Sequence, residues 1–187
     1  MDATESAAIL ASARQGDGDA FRLLVERHSR AVFRLAFRMT GNEQDAEDVV
    51  QESFLRAFRQ LGRFESRANF GTWLYRIVAN CSVDLMRARQ ARQNQGRLDS
   101  LDEIEADPAP ADGPTPERLA QSAEIGTRVA AALGGLSPLE RAAFTLRHYE
   151  GRSIDEISQT LGLRTSATKH SVFRAVRKLR VALAELK

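Results

Sequence analysis

Gly151-Arg152-Ser153-Ile154-Asp155-Glu156-Ile157, followed by Leu161-Gly162-Leu163 and a stretch carrying Lys169, Arg174, Arg177, Lys178 and Arg180, decides how this chain is read. Ser153 with Glu156 three residues on is a capping box, in which each side chain satisfies the other's orphan backbone N–H. It predicts a helix with Ile154, Ile157 and Leu161 facing inward. Gly162 ends that helix, because glycine enters the left-handed backbone of a helix terminus without a Cβ penalty. A second helix is predicted from about Thr165 or Ser166, burying Thr168, Val172, Ala175, Leu179 and Leu183. Its other face carries Ser166, Lys169, His170, Phe173, Arg174 and Arg177, with no acidic residue before Glu185. Capped helix, glycine turn and basic helix, in that order, predict a helix-turn-helix whose second helix enters the major groove of DNA. The bland alternative is a solvated basic face on a small bundle.

Just upstream, Ser137-Pro138-Leu139-Glu140 offers another cap, a proline at the first helical position and an acid at the third. Ile125, Val129, Ala132 and Leu133 precede it as a short helix stopped by Gly134-Gly135. Residues 125–187 thus read as one small helical domain. Four phosphate contacts from it would give log K a slope of about −3.6 against log salt, so such a domain alone binds weakly and salt-sensitively.

At the other end, Asp17 and Asp19 can cap a helix from about Ala20 to Met39, ended by Thr40-Gly41-Asn42. Asn42 opens the next helix, to about Leu61, with Asp45, Glu47 and Asp48 where the helix dipole favours negative charge. A third runs from Phe70 to about Gln93 and turns basic through Arg87, Arg89 and Arg92. Residues 1–93 read as a first helical domain. Across 94–124 the periodicity fades, and Asp107 to Pro116 hold four of the five prolines. This is a flexible acidic linker, about 30 Å across on average as a free coil. The expected fold class is all-α, two small helical domains joined by that linker.

Net charge +2 conceals a division. Residues 1–98 hold 15 basic and 12 acidic side chains, 99–125 hold 1 and 8, and 126–187 hold 11 and 5. Two basic ends around an acidic middle predict a polyanion partner for the ends. One cysteine, Cys81, excludes a disulfide framework, and His28, His148 and His170 lack ligand spacing, so neither metal nor cofactor is expected. Asp17-Gly18-Asp19 is too short for a calcium loop, and there is no phosphate-binding Gly-Lys-Ser/Thr loop; no catalytic residues are assigned. The start Met1 to Ser6 has no basic signal and no apolar run approaches about 20 residues, so a cytoplasmic protein without membrane insertion is expected.

Two further constellations stand out. Arg63 to Ile77 sets Phe64, Phe70, Trp73 and Tyr75 among polar residues just before a helix. Such a loop can hold an everted base: extrusion costs a few kcal/mol, and stacking on a protein ring returns about 1–3 kcal/mol per base. The alternative has Phe70, Trp73, Leu74 and Ile77 as ordinary core. On the second helix, Asp45, Asp48, Glu52 and Arg56 or Arg59 share one face, either a solvated acidic surface or a dock for a basic protein helix.

Asp45-Ala46-Glu47-Asp48-Val49-Val50-Gln51-Glu52-Ser53-Phe54, Phe70-Gly71-Thr72-Trp73-Leu74-Tyr75-Arg76-Ile77-Val78-Ala79-Asn80, and Arg147-His148-Tyr149-Glu150-Gly151 with Glu156-Ile157 and Arg174-Ala175 together resemble bacterial RNA polymerase sigma factors of the extracytoplasmic-function group, in the sigma-70 family. The resemblance covers nearly the whole chain outside the termini and linker. It implies that 1–93 is region 2, docking on core RNA polymerase at the β′ coiled-coil through Asp45, Asp48, Gln51, Glu52, Leu55 and Arg59. It implies capture of the melted −10 element by Phe64, Ser66, Arg67, Asn69, Trp73, Arg76 and Asn80, with Arg87 and Arg89 near the strand backbone. Region 4, residues 125–187, would read duplex −35 DNA through Ser166, Lys169, His170, Phe173, Arg174 and Arg177. Further partners implied are the polymerase β subunit and an anti-sigma factor, and the linker would mimic nucleic acid along the nascent-RNA path. Where the family usually carries an arginine, this chain has Ser171, which predicts an altered −35 preference. Competing readings are a ligand-sensing repressor or activator and a nuclease; neither explains the acidic helix and the aromatic loop together.

Overall fold

The computed structural model describes residues 3–64, 69–96 and 126–184. Among them every regular element is helical and no strand occurs. The chain divides into two units, Met1–Ser82 and Val83–Lys187. Residues 97–125, most of the expected linker, lie outside the described residues.

The first unit opens with α1 (Ala3–Arg14), which the sequence reading left unassigned. Its sequence is alanine-rich and free of glycine and proline, a composition that favours helix without any capping motif to announce it. Asp17 then starts α2 (Gly18–Thr40): its Oδ1 accepts from the backbone N–H of Asp19 at 2.9 Å and Ala20 at 3.1 Å. Its other oxygen accepts from Ser12 Oγ at 2.6 Å, so one carboxylate caps α2 and ties down the end of α1. Gly41, at φ 87°, closes α2 in the left-handed conformation that glycine tolerates. Asn42 caps α3 (Glu43–Gln60) by accepting from Asp45 N at 2.7 Å. A single 3-10 turn, Leu61–Arg63, follows, and then α4 (Phe70–Gly96), which runs three residues beyond its expected end.

The core of this unit is built from Leu24, Val32, Leu35, Ala36 and Met39 of α2, Ala46, Val49, Phe54 and Ala57 of α3, and Phe70, Leu74, Ile77 and Val78 of α4. With His28 counted between Leu24 and Val32, and Leu35 and Ala36 sharing one step, the α2 positions recur every three or four residues, which puts them on one stripe. His28 occupies the stripe position between Leu24 and Val32, half-buried, with its ring centroid 5.2 Å from that of Phe70. Burial, aided by the neighbouring Arg27 charge, pushes its imidazole below the ordinary value. A neutral ring can pack there as an apolar group.

In the second unit, α5 is described over residues 126–134. Both capping boxes form as read. Ser137 and Glu140 exchange hydrogen bonds at the start of α6 (Pro138–Phe144), and Ser153 and Glu156 do so at the start of α7 (Ile154–Leu161). Between them α6 ends in a widened turn, Thr145–Tyr149, in which Glu150 N–H reaches back five residues to the Thr145 carbonyl at 3.1 Å. Arg147 Nη1 donates to the Arg152 carbonyl at 2.9 Å and braces that turn. Gly162, at φ 64°, ends α7, and α8 (Thr165–Ala182) follows. Leu136, Ala175 and Leu179 pack with Ala132, Leu133 and Phe144, joining α5, α6 and α8. Where α7 crosses α8, Ser158 Oγ donates to Thr168 Oγ1 at 2.9 Å inside the core.

Candidate nucleic-acid and protein interfaces

Three surfaces follow from this packing. On α3, burial of Ala46, Val49, Ser53, Phe54 and Ala57 turns Asp48, Gln51, Leu55 and Arg59 outward, and Glu52 is half-exposed beside Arg56, whose Nε lies 2.6 Å from Glu52 Oε1. Asp45 differs from its neighbours. Its carboxylate accepts from Asn42 Nδ2 at 2.8 Å while its own N–H bonds Asn42 Oδ1, so it works first as part of the helix cap. Phe58, which the sequence reading passed over, is exposed beside Leu55 and meets the Phe21 ring edge-on at 5.0 Å. The face therefore combines carboxylates with exposed apolar side chains, the composition of a protein-docking surface with an oriented charge pattern.

The second surface lies around the start of α4. Phe64 does not wait in solvent for a base, as expected of it: it is 3% exposed, and its ring lies 4.9 Å from Trp73 and 6.1 Å from Phe70. Phe70 and Trp73 are 5.6 Å apart, which closes an aromatic trio. The trio buries more apolar area than a lone ring in a loop, and that burial decides where Phe64 goes. Trp73 remains half-buried, Asn80 half-buried, and Arg76, Arg87 and Arg89 exposed. Asn69 Oδ1 accepts from Gly71 N–H at 2.8 Å, so this side chain caps α4 as well as sitting exposed at its tip. Ser66 and Arg67 lie outside the described residues.

The third surface is α8. Ser166, Lys169, His170, Phe173, Arg174 and Arg177 are all exposed, Phe173 at 65%, as the periodicity predicted. Ser171 is 3% exposed and lies with Thr168, Ala175 and Leu179 in the inward stripe, where Val172 and Leu183 are only half-buried. Serine at this position packs inward, and its placement leaves the expected change of −35 preference untested. Arg174 also differs from expectation. Its Nε lies 3.1 Å from Oε1 of Glu140 on α6, so it is not free for phosphate alone. Lys178 Nζ reaches Oε2 of the same carboxylate at 2.7 Å.

Burial alone would raise the Glu140 carboxyl. The hydrogen bonds from Lys178 and the Ser137 backbone N–H, with the Lys178 charge, outweigh burial and hold it below the ordinary glutamate value. A folded-state value below the unfolded one contributes stability above about pH 4.3 that is lost as the pH falls further. The thermal midpoint of the chain should therefore fall as the pH drops from about 5 to about 3, and less steeply in Glu140→Gln, which cannot titrate there. Equal falls in both proteins would assign the acid response to other carboxylates.

Among the described residues no group of three or more His, Cys, Asp or Glu could hold a metal ion, and no helix is long and apolar enough to cross a membrane.

Comparison with known proteins bears on all three surfaces. The family described as sigma-70 region 2 matches residues 24–92, which hold α3 and most of α4, and sigma-70 region 4 matches residues 127–179, which hold α7 and most of α8. An ECF RNA polymerase sigma factor, SigE, of Mycolicibacterium smegmatis is 38% identical over 162 residues; the match covers 87% of this chain and 61% of that protein's length. The RNA polymerase sigma-H factor of Pseudomonas aeruginosa is 34% identical over 175 residues, covering 92% of this chain and 91% of that one. A solved structure of the sigma factor RpoE in complex with the anti-sigma factor NepR, from Bartonella quintana, shares the fold at a TM-score of 0.64 and 22% identity, covering 88% of this chain and 96% of that one.

Proposed function

The chain belongs to the sigma-70 family of RNA polymerase sigma factors, in the extracytoplasmic-function group, and from that premise we propose how its surfaces divide the work of promoter-specific transcription initiation. Residues 1–93 act as region 2 and dock on the β′ coiled-coil of core polymerase through Asp48, Gln51, Glu52, Leu55 and Arg59, with Asp45 holding the helix start. Trp73, Arg76, Asn80 and Asn69, with Ser66 and Arg67, receive the opened −10 strand, while Arg87 and Arg89 lie along its backbone. Phe64 supports this site from beneath. Residues 125–187 act as region 4 and read duplex −35 DNA through the exposed face of α8, and residues 94–124 tether the two.

One observation supports the reading above the others: a carboxylate-bearing helix face and a helix face with Lys169, Arg174 and Arg177 and no acid of its own occur on separate units of one chain. A repressor needs only the second. The protein carries no catalysis of its own in this reading; the polymerase supplies the chemistry, in the cytoplasm. An anti-sigma factor, of the kind bound by the Bartonella quintana neighbour, is the regulatory partner we propose.

Transcription with purified core polymerase and a promoter library tests the proposal. Promoter-dependent output that requires this chain is the expected result. Output independent of the chain, or repression by it, would favour the ligand-sensing regulator.

A further inference from the structure

Glu140 is separated from its two cationic partners by 34 and 38 residues of sequence and belongs to a helix that the proposed DNA contacts do not include. Its side chain is 5% exposed, whereas Arg174 and Lys178 are 53% and 46% exposed. Oε1 accepts from Arg174 Nε at 3.1 Å, and Oε2 accepts from Lys178 Nζ at 2.7 Å and from Ser137 N–H at 3.0 Å.

We propose that Glu140 is a specificity-determining positioning residue, which holds Lys178 back from sequence-blind contact with phosphate and presents Arg174 to DNA in one orientation. This rests on the reading that α8 binds duplex DNA.

A buried carboxylate deprived of its cation is left charged in a poorly hydrated place, so Lys178 does not leave it for a phosphate without loss. Sequence-independent affinity for DNA comes from cations that displace counterions, and a cation already neutralised contributes little. Arginine behaves differently from lysine here. Its guanidinium is planar, so a bond through Nε fixes the plane and leaves three of the four N–H groups of the terminal nitrogens directed away from the edge that faces Glu140. The same carboxylate thus mutes one charge and aims another. Lower non-specific binding with an oriented arginine raises the ratio that selects a promoter among competing sites.

The test uses holoenzyme assembled from core polymerase and the full chain, on duplex fragments carrying a selected −35 sequence or a scrambled one, over a salt series. Lys178→Gln alone should leave the slope of log K against log salt unchanged. Glu140→Gln should steepen it by about 0.9 to 1.8, one or two released cations, and narrow the preference for the selected over the scrambled fragment. Glutamine also serves at the third position of a capping box, so the start of α6 is kept. Lys178→Gln in the Glu140→Gln background should return about 0.9 of that slope. A slope unmoved by Glu140→Gln, or made shallower by about 0.9 by Lys178→Gln alone, overturns the proposal. Lys178→Gln leaves Glu140 in place and so decides the matter even where the other variant does not fold. Wild-type holoenzyme that does not distinguish the two fragments would instead sink the reading of α8 on which the proposal stands.

Discussion

Asp48→Arg combined with Glu52→Arg is expected to reduce affinity for core polymerase about 100-fold or more, and promoter-dependent transcription with it, while the chain stays folded. Asp48 is exposed on α3, and Glu52 engages Arg56 in a pair whose side chains are 43% and 37% exposed. Pairs of that kind contribute about 0–1 kcal/mol to stability, so their loss leaves the unit intact. Against a basic partner helix the same change replaces attraction with like-charge contact, which costs several kcal/mol, and 2.7 kcal/mol is already about 100-fold. Titration of labelled core polymerase with the two proteins, beside a thermal melt, separates docking from folding. Equal affinities would remove α3 as the dock.

The second large effect concerns Phe64. Phe64→Ala should destabilise the first unit by about 3–5 kcal/mol, because it empties a buried ring site between Phe70 and Trp73. That approaches the whole stability of many domains, about 5–15 kcal/mol. Phe64→Leu keeps most of the apolar volume and should retain both the melt and promoter opening. If the leucine protein melts like wild type but no longer opens promoter DNA, by permanganate reactivity of the −10 strand, Phe64 meets a base after all and its burial is transient.

These two sites show what could be read from residues alone. Ser137, Ser153 and Gly162 act locally, through bonds within three or four residues, and each helix boundary they announce is where it was expected. The outward face of α8 was equally legible, since a period of 3.6 and a lack of acids suffice to mark it. α1 carries no such punctuation, and its tie to Asp17 through Ser12 is visible only once the chain has folded back. Phe64 was misplaced because an aromatic ring beside arginines reads the same whether it stacks on a base or on Phe70 and Trp73. Sequence spacing could not decide between them. Arg174 was placed on the right face and given an incomplete set of contacts, because its partner Glu140 was already accounted for as a cap. Ser171 was legible only through the family pattern, and helical phase adds that the serine itself faces inward.

The hydrogen bond between Ser158 and Thr168 has a consequence for how such a protein diversifies. Two hydroxyls joined inside a core specify a direction as well as a distance, whereas an apolar pair would tolerate sliding of α7 along α8. With the crossing pinned from within, the outward residues Lys169, His170 and Phe173 can be exchanged as a cassette without tilting the helix that carries them. Retargeting to another regulatory sequence then becomes a matter of surface substitution on an unaltered chassis.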